Sequence, residues 1–233
     1  MILWLCPLFG FLLGSIPFGV IFSRAKGIDI RQHGSGNIGA TNVLRVMGKK
    51  YGFTCLFLDM LKGFIPTVIA ISCIRFVDMH NPMMLTALDP LSRNFPMHTA
   101  QIFQVLTGLC AILGHNYSPW VGFKGGKGIA TSAGVLLAMM PAAVLILIAL
   151  WSVVFLISRY VSLASIVAVG VLPIVTLWGS WFHGKIQNGT WNKALFAFTL
   201  VIAILGIWKH RGNITRLCNG TENRFTRKPK IST

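Results

Sequence analysis

Apolar residues occupy this chain in long blocks, at roughly 2–22, 52–74, 100–114, 129–157, 161–182 and 194–208. Short polar stretches, rich in glycine or basic residues, separate them. Several blocks approach or exceed the roughly 20 residues that carry a helix across a bilayer. The block at 129–157 is too long for one comfortable span, and Pro141 interrupts it after Met139 and Met140. Proline ends or kinks a helix at such a point. The pattern therefore predicts two short helices meeting near Pro141, with one long kinked span as the alternative. A tight turn follows at Ser158-Arg159-Tyr160. The stretches 24–50 and 115–128 read as polar loops, and 75–99 reads as an external loop with room for a short surface helix.

Composition sharpens that reading. Of 233 residues, 54% are hydrophobic and 11% charged, against about 25% charged in an ordinary soluble domain. The expectation is an all-α, polytopic membrane protein with about seven transmembrane helices, forming one domain over 1–233. In a soluble protein the net charge of +16 would suggest nucleic acid. In so apolar a chain it fits basic residues flanking helices on the cytoplasmic side, beside anionic lipid, and nucleic-acid binding is set aside. With seven spans and the N-terminus outside, sixteen Lys and Arg fall in inside segments, four fall outside, and Lys62 lies within a span. Leaving 129–157 unbroken places both ends on one side, against this bias. Charge therefore favours the split, an outer N-terminus and a cytoplasmic C-terminus. No basic residue precedes the first block, unlike a secretory signal, so it is expected to be retained as a span. The five cysteines are scattered, with no CxxC pair and no metal spacing, and read as free thiols. No cofactor and no metal are expected.

Three polar segments converge on the inner face in this topology. The first is GSGNIGATN at 34–42, followed by Arg45. Gly34, Gly36 and Gly39 have the spacing of a dinucleotide fingerprint, but no βαβ unit surrounds them. What remains is a phosphate-binding inventory: hydroxyls on Ser35 and Thr41, amides on Asn37 and Asn42, and the Arg45 guanidinium. The second is GHNYSPWVGFKGGKGIAT at 114–131. It resembles a P-loop in composition but misses the Walker spacing at Val121 and Gly128, which disfavours nucleotide hydrolysis. Gly125, Gly126 and Gly128 with Lys124 and Lys127 form a candidate anion nest. In the third, His210, Asn213 and Arg216 are three apart and share a helix face as the last span ends. Glu222 follows as the only glutamate in the chain. Each segment alone also fits a basic connector or a solvated helix end. Asp59 and Lys62, three apart in the second block, can pair to avoid an uncompensated charge in lipid, either as structure or in support of the site. Ser162 and Ser165 open the 161–182 block, where back-bonding to helix carbonyls is the plain alternative to a site role.

Taken together, GSGNIGATNVLR at 34–45, LDMLKG at 58–63, the 114–131 stretch, RYVSLASI at 159–166 and HRGNITRL at 210–217, with Gly220 and Glu222, resemble the PlsY family. These are bacterial integral-membrane acyl-phosphate:glycerol-3-phosphate acyltransferases. The resemblance covers nearly the whole chain. It implies a seven-helix fold in the bacterial cytoplasmic (inner) membrane, with the active site on the cytoplasmic side. It also implies acyl transfer from acyl-phosphate to glycerol 3-phosphate, giving lysophosphatidic acid and phosphate in phospholipid synthesis. By position, Ser35, Asn37 and Thr41 belong to the first motif's phosphate-binding stretch, with Arg45 its basic residue. Lys127 matches the key lysine of the glycine-rich loop; Ser165, His210 and Asn213 match polar site positions, and Glu222 the late acidic residue.

The combined candidate set takes Ser35, Arg45, Lys127, His210, Asn213 and Glu222 as catalytic. It takes Gly34, Gly36, Asn37, Thr41, Lys124, Gly125, Gly126, Gly128, Ser162 and Ser165 as binding substrate phosphate, with His115 a candidate general base. Acyl-phosphate is already activated, so direct transfer is favoured, with the donor's phosphate accepting the hydroxyl proton. A base at His115 or His210 is the runner-up. Some glycerolipid acyltransferases use a histidine with an aspartate five residues later, and none of the six histidines here has that partner. The competing class is a transporter of a phosphorylated solute, against which stands the lack of an internal repeat. The expected partners are the two substrates and membrane lipid.

Overall fold

A computed structural model describes residues 1–225. Arg227, Lys228 and Lys230, among the sixteen basic residues assigned to inside segments, lie outside the described residues. The first apolar block is broken. Helix α1 (Ile2–Gly14) stops and α2 (Phe18–Arg24) starts across Pro17, which has no N–H to continue the ladder. The 24–50 stretch is not a loop throughout, as the sequence reading had it. It holds α3 (Ala40–Met47), an eight-residue helix too short to register as a span, which buries Asn42 and Val43. Helix α4 (Lys49–Cys73) then crosses the bundle.

Helix α5 (Met97–Asn116) extends beyond the apolar block at 100–114 at both ends. Its polar residues Gln101, Gln104, His115 and Asn116 are buried against protein, so hydropathy understates its length. The 129–157 block divides where charge favours it. Helix α6 (Ile129–Met139) ends before Met140, and α7 (Pro141–Ser158) opens on Pro141. Arg159, at φ 63°, turns the chain into α8 (Val161–Phe182). Helices α9 (Lys193–Lys209) and α10 (Arg211–Cys218) meet in a 55° bend at His210. Among the described residues, five helical segments are long and apolar enough to cross a membrane, or six with the bent pair as one; α6 is a shorter apolar helix.

Small residues let the helices close on one another. A side chain on Gly10 or Gly14 of α1 would run into the α5 backbone at Thr107 or Ala111. One on Gly63 of α4 would strike Thr131 O, and one on Gly134 of α6 would strike Met60 O. Such close approach is the main source of helix adhesion where lipid removes the hydrophobic drive. With 11 residues, α6 rises only about 16 Å. The 75–96 connection folds down to meet its end: Asn81 Nδ2 donates to Ala138 O at 3.3 Å, and Met79, Met83 and Met84 pack on Val68, Ile71 and Ala138. That connection also carries a short 3₁₀ turn (Thr86–Leu91) and a two-residue parallel pairing of Ile74–Arg75 with Arg93–Asn94. The main core joins α5 to α9 through Ile112, Val135, Leu136, Val144, Leu172 and Ile202.

Candidate active site

The first loop is wound around one amide. Asn42 Oδ1 accepts Ser35 N–H at 2.8 Å, while its Nδ2 donates to the carbonyls of Ile30, His33 and Asn37. Asn42 is thus spent on holding the loop. A side chain at Gly34, φ 62°, would fall on Asn42 Oδ1, which demands glycine there. Asn37 Oδ1 accepts Gly39 N–H at 2.8 Å and so sets the start of α3. The outcome is a helix N-terminus with Ser35, Asn37 and Thr41 around it and Arg45 one turn on. The Arg45 guanidinium donates to Asn223 O at 3.3 Å and lies 5.1 Å from the Phe225 ring.

The glycine-rich loop is pinned at both ends. Ser118 Oγ donates to Ser15 O at 2.6 Å, and Trp120 Nε1 donates to Ser15 Oγ at 2.8 Å. Gly126 N–H donates to His115 O at 3.1 Å. Gly128, at φ 81°, then starts α6, so Lys127 stands beside a second helix N-terminus. Lys127 Nζ donates to Asn213 Oδ1. Burial pushes the Lys127 ammonium down to about 8; Glu222 opposes the shift, while Arg216 and Arg45 add to it.

The last segment closes the site. His210 donates Nδ1–H to Gly206 O at 2.8 Å, which leaves Nε2 to accept. Asn213 and Arg216 face one way on α10 and meet Glu222: Asn213 Nδ2 donates to Oε1 at 2.7 Å and Arg216 Nε to Oε2 at 2.8 Å. Ser162, in the first turn of α8, donates to the same Oε1 at 2.7 Å. Burial works against the Glu222 charge, but the bonds from Asn213, Ser162 and Arg216 outweigh it and hold the carboxyl below its usual range. A chain of contacts therefore runs from Ser162 through Glu222 and Asn213 to Lys127.

These parts enclose one cavity of about 430 Å³. The first turns of α3, α6 and α8 all line it, together with Arg45, Lys127, His210 and Asn213. Three positive helix ends and two cationic side chains suit this end of the cavity to anions. Much of the remaining wall is apolar, with Leu136, Val144, Leu147, Leu172 and Ile202 beside Trp151, while Asp59 and His115 also reach it.

A family description, glycerol-3-phosphate acyltransferase, matches residues 4–220. The chain belongs to this family. Among curated members of the glycerol-3-phosphate acyltransferase family, the Aquifex aeolicus protein is 43% identical over 218 residues, covering 94% of this chain and 96% of the relative. That of Fusobacterium nucleatum is 42% identical over 216 residues, covering 92% and 94%. The fold is similar to crystal structures of PlsY, an integral membrane glycerol 3-phosphate acyltransferase. Its glycerol 3-phosphate form gives a TM-score of 0.75 at 38% identity, with 96% of each chain covered. Its lysophosphatidic acid form gives 0.73 at 38% identity, with 96% of this chain and 95% of that one covered.

Within this member of the glycerol-3-phosphate acyltransferase family, the cavity gathers most of the sequence candidates: Ser35, Asn37, Thr41, Arg45, His115, Lys127, Gly128, Ser162, Ser165, His210, Asn213 and Glu222. Gly34, Gly36, Gly125 and Gly126 do not line it; they shape the two loops. Lys124 is exposed and stands outside the cavity, just after the turn at Gly122 and Phe123, which have φ 65° and 61°. Ser165 Oγ donates to Val161 O at 2.8 Å and accepts Trp151 Nε1–H at 3.1 Å, so it is partnered within the helix bundle. Two features went unread in the sequence. Trp151 sits in an unbroken apolar run and carries no polar signal there. The approach of Asp59 to His115 joins residues on different helices, which no local pattern reports.

Proposed function

We propose that this protein transfers a fatty acyl group from acyl-phosphate to the sn-1 hydroxyl of glycerol 3-phosphate, giving lysophosphatidic acid and phosphate. One observation carries the reading: a single cavity with a cationic, helix-end-lined pole and a largely apolar remainder. Both substrates bring phosphate to the first, and the acyl chain suits the second. The setting is a bacterial cytoplasmic membrane, with seven spans, the N-terminus outside and the site on the cytoplasmic face. The excess of basic residues in 24–50, 115–128 and the tail supports that orientation.

Lys127 and Arg45, with the starts of α3 and α6, bind the two phosphates and offset their mutual repulsion. Ser35 and Asn213 orient the glycerol end so that its hydroxyl faces the acyl carbonyl. The hydroxyl oxygen bonds to the carbonyl carbon, the carbon–oxygen bond to phosphate breaks, and the departing phosphate takes the hydroxyl proton. No acyl-enzyme is formed. His210 Nε2 is the competing proton acceptor. Replacing His210 with glutamine and measuring kcat separates the two, since a general base is worth about a hundredfold or more. A loss of only about tenfold sinks the histidine version.

The decisive experiment incubates purified protein in detergent with palmitoyl-phosphate and glycerol 3-phosphate and follows phosphate release. Folded protein without transfer activity, but with flux of glycerol 3-phosphate into liposomes, replaces this reading by the transporter.

A further inference from the structure

Under the glycine-rich loop lies a buried charged cluster that the transfer chemistry does not use. Asp59 and Lys62, one turn apart on α4, pair at 2.7 Å with side chains only 3% and 2% exposed. Lys62 Nζ also donates to Ile16 O at 2.7 Å, in the break between α1 and α2. His115, near the end of α5, is buried; its Nδ1 lies 3.7 Å from Asp59 Oδ1 and has no hydrogen-bond partner among the described residues. Unpairing charges so deeply buried is strongly unfavourable, so the cluster is a stiff support that ties three helical segments together.

The far edge of the His115 ring carries the loop. A Cβ added to Gly126 would fall on His115 Nε2, and one added to Gly125 would fall on His115 O. Gly126 N–H is bonded to that same carbonyl. Lys127 is the next residue, and its reach to Asn213 depends on where Gly126 rests.

We propose that His115 is a positioning residue: seated beside the Asp59–Lys62 pair, its ring sets how closely the glycine-rich loop approaches α5, and so where Lys127 Nζ stands opposite Asn213. Glycine at 126 is then required by the ring rather than by backbone conformation, since Gly126 has no positive φ. The inference rests on the reading of Lys127 as a phosphate ligand.

The test is a size exchange. Steady-state kinetics are measured for wild type, Gly126→Ala, His115→Ala and the double variant in the phosphate-release assay. Displacing the loop by the width of a methyl group raises KM for glycerol 3-phosphate about tenfold or more in Gly126→Ala, with kcat less affected. His115→Ala alone keeps kcat within about tenfold, below the effect of losing a proton-transfer group. In the double variant the cleared space admits the new methyl, so KM returns toward wild type and the two changes are non-additive. If Gly126→Ala yields no folded protein, recovery of a monodisperse, active double variant is the same rescue. Three results overturn the proposal. They are a double variant no better than Gly126→Ala, a Gly126→Ala enzyme with unchanged KM, and a His115→Ala enzyme that loses about a hundredfold in kcat at constant KM. A wild-type protein without transfer activity defeats the functional reading instead, so the two failures are told apart.

Discussion

Replacing Lys127 with methionine keeps the side chain's length and removes its charge. Lys127 Nζ is held by Asn213 at the pole of the cavity shared by Ser35, Thr41 and Arg45. A unit charge about 4 Å from one phosphate charge, at an effective dielectric of about 20, contributes about 4 kcal/mol. Each 1.4 kcal/mol is about a tenfold change in rate, so kcat/KM for glycerol 3-phosphate is expected to fall about a thousandfold. The variant also strips Asn213 Oδ1 of its donor, which adds to the loss rather than offsetting it. The fold does not depend on this ammonium, whose charge burial disfavours, so the variant should extract and melt like wild type. The assay is phosphate release from palmitoyl-phosphate at varied glycerol 3-phosphate, paired with a thermal melt in the same detergent. A folded Lys127→Met enzyme within about tenfold of wild-type kcat/KM refutes the argument, because Coulomb attraction of that size could not then be present.

Other expectations follow from the same geometry. Glu222→Ala leaves buried Ser162 and Asn213 without their acceptor, at about 1–3 kcal/mol each, so transfer should drop about a hundredfold. Glu222→Gln keeps Oε1 and loses chiefly the bond from Arg216, whose side chain is 40% exposed; that pair is worth about 1 kcal/mol or less, and activity should stay within about tenfold. Because Lys127 titrates at about 8, KM for glycerol 3-phosphate should climb as pH rises through that value, and a profile flat to pH 9.5, about the upper limit of such an assay, would count against a charged Lys127 in binding. The same lowered value means that the folded protein holds fewer protons than the unfolded one between about 8 and 10.5, so this group makes stability rise with pH across that window. Gly134→Leu drives a side chain into Met60 O; overpacking of this kind costs about 1–3 kcal/mol and should lower the melting temperature.

Much of the bundle was legible because its signal is repetitive. Long apolar blocks announce helices whatever they pack against, and Pro141 marked a real division in 129–157. Short elements carried no comparable signal. Ala40–Met47 has one buried face and polar neighbours, so it read as loop. Gln101, Gln104 and Asn116 looked like a boundary although protein, not water, surrounds them. At the site, residue type revealed the chemistry but not the partners. Glu222 stood out as the sole glutamate, yet its bond to Ser162 spans sixty positions. Asn42 looked like a ligand for phosphate, whereas its amide is consumed by four backbone groups. Lys124 and Lys127 are equivalent on paper, and only the path of the loop between them separates an exposed lysine from a half-buried one.

The bond between Lys127 and Asn213 has a consequence for biosynthesis. Its two residues are 86 positions apart, so the lysine is made well before its partner. Until α10 folds against the glycine-rich loop, the Lys127 ammonium lacks the Asn213 amide that holds it at the pole of the cavity. The site is therefore completed by the docking of α10 against the glycine-rich loop rather than by any one stretch of sequence. A chain cut after Lys209 lacks both Asn213 and Glu222 and is expected to show no transfer activity.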